Sequence, residues 1–562
     1  MPKTVAIGVQ NFEKIIERNY FYIDKTHFIK EWWESGDEVT LIARPRRFGK
    51  TLNMSMLEVF FSIDYAEKWN LFSGLSIQND EKYKKLQGTY PVISLSFARI
   101  KETDYGKTKT KICEVLRNEY IKYYFLRDSD VLTDADRDTF DRILSKDVDE
   151  TDATSAIYQL SDFLYRYYGK EVLILLDEYD TPMQEAYVNG FWDELTAFTR
   201  SFFNSTFKTN PYLERGIMTG ITRVSKESVF SDLNNLKVVT TTSDEYADSF
   251  GFTEDEVFTA LREYGYEDKK EEIKSWYDGF VFGSKRDIYN PWSILNFLDT
   301  GKIRTYWANT SSNGLVGRLI RQGNRDLKTT FETLLNRETI YCPIDEQIVY
   351  DQLDNDNTAI WSFLLAGGYL KVVDYQESID EERPAVYGLR LTNGEVAAMF
   401  YGMIRSWFNA AGSDYNDFVK ALLVDDIEAM NEYMELVAEE IFSSFDTGTR
   451  PSRMQPERFY HGFVLGLIVE LKDRYIITSN RESGFGRYDI MLEPKNKKEH
   501  AIIMEFKVFN NKKEASLEET VQSALKQIEE KDYAASLIIK GFPMENIYKY
   551  GFAFEGKKVL IG

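Results

Sequence analysis

Two short apolar runs, Val39-Thr40-Leu41-Ile42-Ala43 and Val172-Leu173-Ile174-Leu175-Leu176, constrain this chain more than any other feature. Neither shows the strict polar–apolar alternation of a strand with one face in water. Both fit strands covered on both faces, the environment of a parallel sheet packed between helices. Further strand candidates at YPVISLSF (90–97) and GIMTGIT (216–222) are separated by helical patterns such as LNMSMLEVFFS and YQLSDFLYRYYG. Strands alternating with helices predict an α/β fold with a parallel sheet. The chain has 562 residues, more than one ordinary domain holds, so further domains are expected.

The remainder is less regular. Residues 1 to 36 read as a short strand and a helix ending near Gly36. Residues 127–152 hold ten acidic against four basic residues and fit solvated helix and loop. From about 255 to 345 the pattern is mostly helical. A helix stopped by Gly367-Gly368, strands over 370–375 and 385–392, and a helix over 393–408 form a helix–hairpin–helix arrangement resembling a winged helix. Helices continue to about 445. Beyond TGTRPSRMQPE come a helix (HGFVLGLIVEL), strands IITSNRE, RYDIMLEP and AIIMEFKVF, and a helix, LEETVQSALKQIEEKDYA.

Composition removes several functions. Two cysteines exclude a disulfide framework or a thiolate zinc site, and three histidines argue against a multi-histidine metal centre. A net charge of −22 argues against a uniformly basic nucleic-acid coat. The charge is uneven: residues 453–562 carry 18 Lys and Arg against 16 Asp and Glu, so the excess acid lies in the first 452 residues. Lysines 495, 497, 498, 507, 512 and 513 equip the near-neutral end to approach a phosphodiester backbone, although some serve only to solvate loops. No signal peptide and no membrane-length apolar run is legible, so a cytoplasmic chain without a membrane partner is expected. Trp32-Trp33, Trp276 and Trp292 read as core anchors, and His461 as a packed helix residue.

The segment Arg44-Pro45-Arg46-Arg47-Phe48-Gly49-Lys50-Thr51 lies between a buried strand and a helix, where a phosphate-binding loop belongs. Arg46, Arg47, Phe48 and Gly49 would wrap the phosphates at the positive end of the helix. Lys50 would neutralise them, and Thr51 would offer a hydroxyl to Mg²⁺. Arg44 stands where the usual pattern has Gly, and the same tripeptide Gly-Lys-Thr also fits a basic turn. The run ending in Asp177-Glu178, about 130 residues on, has the form of a Walker B strand: Asp177 would hold Mg²⁺ and Glu178 would orient the attacking water. Solvated acids at a strand end are the plain alternative. Together the two motifs point to ATP with Mg²⁺.

RPRRFGKT, LLDEYDTP, GITRVS with SDLNNL, WYDGF, YNPWS and YWANTS occur in this order along the chain. In that combination the chain resembles the bacterial AAA-ATPase-like proteins over essentially its whole length. The resemblance implies that Arg44 is a family feature, that the core is a P-loop ATPase, and that Thr219, Thr222 or Arg223 stands where a sensor group contacts the γ-phosphate.

Near the C-terminus, AIIMEFKVF interrupts an apolar strand with Glu505 and Lys507 on one face. Asp489 lies sixteen positions earlier, and an antiparallel pairing would bring it to Glu505. Two carboxylates and a lysine are a minimal Mg²⁺ phosphodiesterase set, the acids holding metal and the lysine stabilising charge. A structural Glu–Lys pair at a strand edge is the alternative. The pattern resembles the PD-(D/E)XK nuclease superfamily. That resemblance implies a helix acid, Glu457 or else Glu470, and a glutamine on the following helix, Gln527. Tyr488 stands where the motif's name has Pro.

These readings predict an α/β chain with four parts. They are a P-loop AAA-ATPase-like domain (1–250), a helical lid region (251–350), a winged-helix-like and helical region (351–450), and a restriction-endonuclease-like PD-(D/E)XK α/β domain (453–562). The expected activity is ATP binding or hydrolysis coupled to Mg²⁺-dependent cleavage of nucleic acid, DNA before RNA. Self-association into a homo-oligomer and a role in defence against foreign nucleic acid accompany it by analogy. The alternative is an ATP-operated signalling switch whose nuclease-like domain only docks.

Overall fold

The computed structural model describes the chain except residues 1, 147, 223–228, 231, 309–313, 323–324, 336, 346–349, 351–352, 354–355, 378–384, 410–415, 442–463, 465–466, 469–470, 472–473, 484–485, 511–512 and 556–557. It divides into two compact units, Met1–Val316 with Arg337–Ala397, and Gly317–Asn336 with Ala398–Gly562. Among the described residues no helix is long and apolar enough to cross a membrane.

The first unit is built on five parallel strands, β1 (Val39–Ala43), β2 (Val92–Ser96), β3 (Val172–Asp177), β4 (Leu213–Gly220) and β5 (Leu236–Val239), in the order β2-β3-β4-β1-β5. Every residue of β1 and β3 is buried, as their largely apolar sequences require. Because β4 lies between them, the carboxyl ends of β1 and β3 stand two strand spacings apart, about 9–10 Å. The Lys50–Phe61 helix follows β1 directly. Edge strand β5 mixes Lys237 with apolar residues and gave no periodic signal.

Two expectations change here. The described residues up to 36 hold no strand: they include helices Phe12–Glu17 and His27–Glu34, the first capped by Asn11, whose Oδ1 accepts from Lys14 N at 2.7 Å. The mostly helical region after 255 also contains a small antiparallel sheet, β6 (Phe252–Thr253), β7 (Phe280–Phe282) and β8 (Lys285–Tyr289), ordered β6-β8-β7. Strands of two to five residues are too short to carry a period. The helix–hairpin–helix arrangement forms as expected. Helix Asn357–Ala366 stops before Gly367-Gly368, Gly368 taking a φ of 81°. Strands β10 (Leu370–Gln376) and β11 (Val386–Leu391) pair antiparallel, and helix Gly394–Asn409 follows. An additional strand, β9 (Ile340–Cys342), joins β11.

The second unit carries a mixed sheet of β12 (Tyr475–Ser483), β13 (Gly486–Pro494), β14 (Ala501–Val508), β15 (Ile547–Glu555) and β16 (Lys558–Ile561), in sequence order. Central β14 is antiparallel to β13 and parallel to β15. One face buries Ile490, Ile502, Met504, Phe506 and Phe552 with Phe418, Met430 and Met434 of two preceding helices. Against the other lies helix Leu517–Glu530. It packs so closely that a Cβ on Gly551 would meet Val521 O at 2.7 Å, which explains a glycine inside a strand. Most of HGFVLGLIVEL falls outside the described residues.

Candidate functional site

The loop from β1 to the Lys50–Phe61 helix brings its cations to the end of the sheet. Gly49 caps the helix with a φ of 86°, a left-handed conformation that glycine adopts without strain, and a Cβ there would meet nothing within 4 Å. Arg47 takes a φ of 66°, unusual for a residue with a side chain. Arg44 has 0% exposure and turns away from the loop. Its guanidinium donates to the carbonyls of Thr240 and Glu245 and lies 4.5 Å over the Phe282 ring. Burial pulls its pKa down to about 9 against the opposing pull of Glu31 and Glu245. The arginine that replaces glycine therefore anchors the loop from behind. Phe48 lines the same cavity as its neighbours and is also packed from behind, its ring against Phe280 and Phe282 and its carbonyl accepting from Gly251 N at 3.2 Å.

Lys50, Thr51, Asp177 and Glu178 meet. Lys50 Nζ, buried, donates to Arg44 O and Pro45 O at 3.0 Å and lies 3.5 Å from Glu178 Oε1. Thr51 Oγ1 donates to Asp177 Oδ2 at 2.8 Å, spanning the gap between β1 and β3. The strand between them contributes Thr219, whose hydroxyl donates to Asp177 Oδ1 at 2.6 Å and accepts from Glu178 N at 3.3 Å. Burial and the Glu178 charge raise the Asp177 pKa, while the two threonine hydroxyls and Lys50 oppose the rise. A hydroxyl and a carboxylate side by side are the oxygen donors that a hard cation such as Mg²⁺ takes. Arg46, Arg47, Gly49, Lys50, Asp177 and Glu178 line one cavity of about 730 Å³, within the range of ligand pockets. Arg223 lies outside the described residues.

Sequence reasoning missed Asp180. Its Oδ2 accepts from Ile221 N at 2.8 Å, Thr222 N at 3.0 Å and Thr222 Oγ1 at 3.1 Å, stitching the end of β3 to the turn after β4. Burial, then the Glu178 charge, raises its pKa. The third acid of Asp-Glu-Tyr-Asp was the available signal.

The second constellation lies in the other unit. The β13–β14 register pairs Ile490 with Met504, so its next step sets Asp489 opposite Glu505. Asp489 Oδ2 accepts from Phe506 N at 2.9 Å. Lys507 Nζ donates to Gln527 Oε1 at 2.8 Å, and Gln527 Nε2 donates to Glu505 Oε1. Asp489, Glu505, Lys507 and Gln527 thus form one cluster, and its carboxylates are again oxygen donors suited to Mg²⁺. Glu457 and Glu470 lie outside the described residues. Lys495, Lys497 and Lys498 sit in the turn between β13 and β14, at least six residues beyond Asp489 along an extended strand or roughly 20 Å. The structure brings Lys507 into the cluster and leaves those three at the far end of the strands.

Tyr533 completes the cluster and was not foreseen. It is buried, and Gln527 Nε2 also donates to its hydroxyl at 3.1 Å. Helix periodicity could not place it, because Asp532, with a φ of 50°, turns the chain back after the helix ends at Glu530. Burial raises the Tyr533 pKa, and the charges of Glu505 and Asp489 push the same way, so it stays a neutral phenol. Tyr533→Phe is expected to cost about 1 kcal/mol of stability through one lost buried hydrogen bond. Denaturant midpoints of wild type and variant measure the effect.

A family profile described as "Predicted AAA-ATPase", AAA-ATPase-like, matches residues 6–230, and one described as "PD-(D/E)XK nuclease superfamily" matches residues 455–562. A curated protein of Azotobacter chroococcum mcd 1, described as an uncharacterized protein in the vnfD 5'region, is 25% identical over 404 residues. That match spans 70% of this chain and 69% of the relative.

Proposed function

We propose that this chain, which carries an AAA-ATPase-like domain and a PD-(D/E)XK nuclease-superfamily domain, binds and hydrolyses ATP and couples nucleotide state to Mg²⁺-dependent cleavage of nucleic acid, DNA in the first place. The observation that carries the nuclease reading is the bonded cluster of Asp489, Glu505, Lys507 and Gln527 on adjacent strands and a covering helix. In it Asp489 and Glu505 hold the metal, Lys507 offers positive charge to the phosphate, and Gln527 fixes the Lys507 and Glu505 side chains. A metal bound there supplies polarisation of the phosphate and a hydroxide nucleophile.

In the ATPase-like domain, Lys50 neutralises phosphate charge, Thr51 and Asp177 hold Mg²⁺, and Glu178 orients water. The use we propose for the pairing, by analogy, is defence against foreign nucleic acid.

The deciding experiment incubates the full chain with supercoiled plasmid, linear duplex DNA, single-stranded DNA and RNA. Each is tested with Mg²⁺ or Mn²⁺, with and without ATP. Metal-dependent cleavage of DNA is expected. Intact substrates under every condition would reject the nuclease role in favour of a docking module.

A further inference from the structure

Three motifs that the nucleotide reading left without a role close around the loop from behind. Trp307 Nε1, of YWANTS, donates to Arg46 O at 2.9 Å, and Asn290 Nδ2, of YNPWS, donates to the same oxygen at 3.3 Å. Phe280, of WYDGF, packs on Phe48 with ring centroids 4.7 Å apart and on Trp307 at 5.5 Å. Trp292 is not the core anchor its composition suggested. It is half-buried at the start of helix Pro291–Thr300, lines the cavity, and carries the Arg47 guanidinium 4.3 Å from its ring centre.

Arg47 therefore combines strained backbone, a place on the cavity wall, and contact with an aromatic face. The ring's neighbours lead away from the cavity. Ser293 Oγ donates to Glu395 Oε2 at 2.8 Å, and Trp307 N donates to Glu395 Oε1 at 2.7 Å. Glu395 is buried at the start of the helix that follows the β10–β11 hairpin. Arg47, Trp292, Ser293 and Glu395 thus form a contiguous set of contacts and chain neighbours from the cavity wall to that helix.

We infer that Arg47 is a two-position cation, held on Trp292 when the cavity lacks a polyphosphate and drawn onto the phosphates when it holds one, so that Trp292 reports occupancy to the segment clasped by Glu395. This rests on the nucleotide reading of the cavity. The physical basis is a competition: a cation over an indole is held weakly, and an adjacent polyphosphate holds it more strongly. A ligand shifts such an equilibrium only by its differential interaction with the two states, here the charge on the phosphates.

The test uses the full chain and compares wild type with Trp292→Phe, Trp292→Leu and Arg47→Ala. Emission is recorded while MgATP, MgADP, sodium triphosphate or adenosine is added, and affinity is measured separately by equilibrium dialysis. The wild-type minus Trp292→Phe difference spectrum should change with the three phosphates and not with adenosine, and Arg47→Ala should abolish the change. Trp292→Leu, by removing the competing ring, should bind ATP about two- to fivefold more tightly. Weaker binding by Trp292→Leu would make Trp292 merely a pocket wall and overturn the inference. So would a spectral response that survives in Arg47→Ala. If wild type binds ATP without any change in Trp292 emission, the inference fails alone. If it binds no ATP, the nucleotide reading fails with it.

Discussion

Lys507→Ala is expected to lower metal-dependent cleavage by about a hundred- to a thousandfold, the usual cost of removing one preorganised charge stabiliser. Nucleotide turnover should stay at the wild-type rate. The ammonium of Lys507 is bound to Gln527 Oε1, and the amide of that glutamine is bound to Glu505. Removing the lysine deletes the cation of a cluster that otherwise holds the two carboxylates Asp489 and Glu505. The remaining site should still accept a divalent ion, because its oxygen donors are untouched, while losing the group that we propose meets charge developing on the phosphate. The effect belongs in the cleavage rate at saturating metal. Lys507 is half-buried on β14 beside an intact core, so thermal stability should change little. Plasmid cleavage at several Mg²⁺ concentrations, with ATP hydrolysis followed in parallel, measures both quantities. Undiminished cleavage by the variant would remove Lys507 from the chemistry, and an equal fall in ATP turnover would point to a folding defect.

Lys50→Ala should reduce ATP turnover by a similar factor, with metal-dependent cleavage retained in any ATP-independent assay. This lysine differs from Lys507 in its surroundings. It is 3% exposed and meets Arg44 O, Pro45 O and Glu178. Truncation leaves two carbonyls and a carboxylate without that donor, so a stability cost of about 1–3 kcal/mol accompanies the functional loss. Glu178→Gln separates the two effects. It keeps the lysine and its loop bonds, and should bind ATP with near wild-type affinity while failing to turn it over. Binding by equilibrium dialysis and phosphate release by a coupled assay distinguish the variants. Normal turnover by Lys50→Ala would reject the loop as the phosphate site.

Much of the architecture was legible because a few segments carry strong local signals. β1 and β3 are largely apolar runs suited to a doubly covered strand, and both are wholly buried. The alternation in AIIMEFKVF put Glu505 and Lys507 on one face, and the sixteen-residue spacing set Asp489 against Glu505 once an antiparallel pairing was assumed. The charge split indicated the end of the chain better suited to a polyanion, yet it could not say which lysines stand near the cluster. Three of the six lie in the β13–β14 turn, since lysines close in sequence to Asp489 are carried away from it by the rise of the strand.

Other features had no local signature. Strand β5 and the short β6–β8 sheet lack a readable period. Thr219 was one candidate among three. It bridges to Asp177 because β4 runs between β1 and β3, a fact of strand order. Tyr533 reaches Gln527 through a left-handed turn beyond the helix. The arginine in place of a loop glycine looked like a defect in the motif, and its side chain proves to lie among the carbonyls of residues some 200 positions away.

The sequence by itself determined the two candidate constellations, because residue type, alternation and a strand–loop–helix order are local properties of the chain. Only the tertiary structure decided which groups share a site and which merely support one. Strand order placed a threonine between two distant acidic and hydroxyl groups, a left-handed turn after a helix placed a tyrosine behind a glutamine, and the start of another helix placed a tryptophan beneath an arginine. These contacts join residues that no period in the chain relates, and packing alone brings them together.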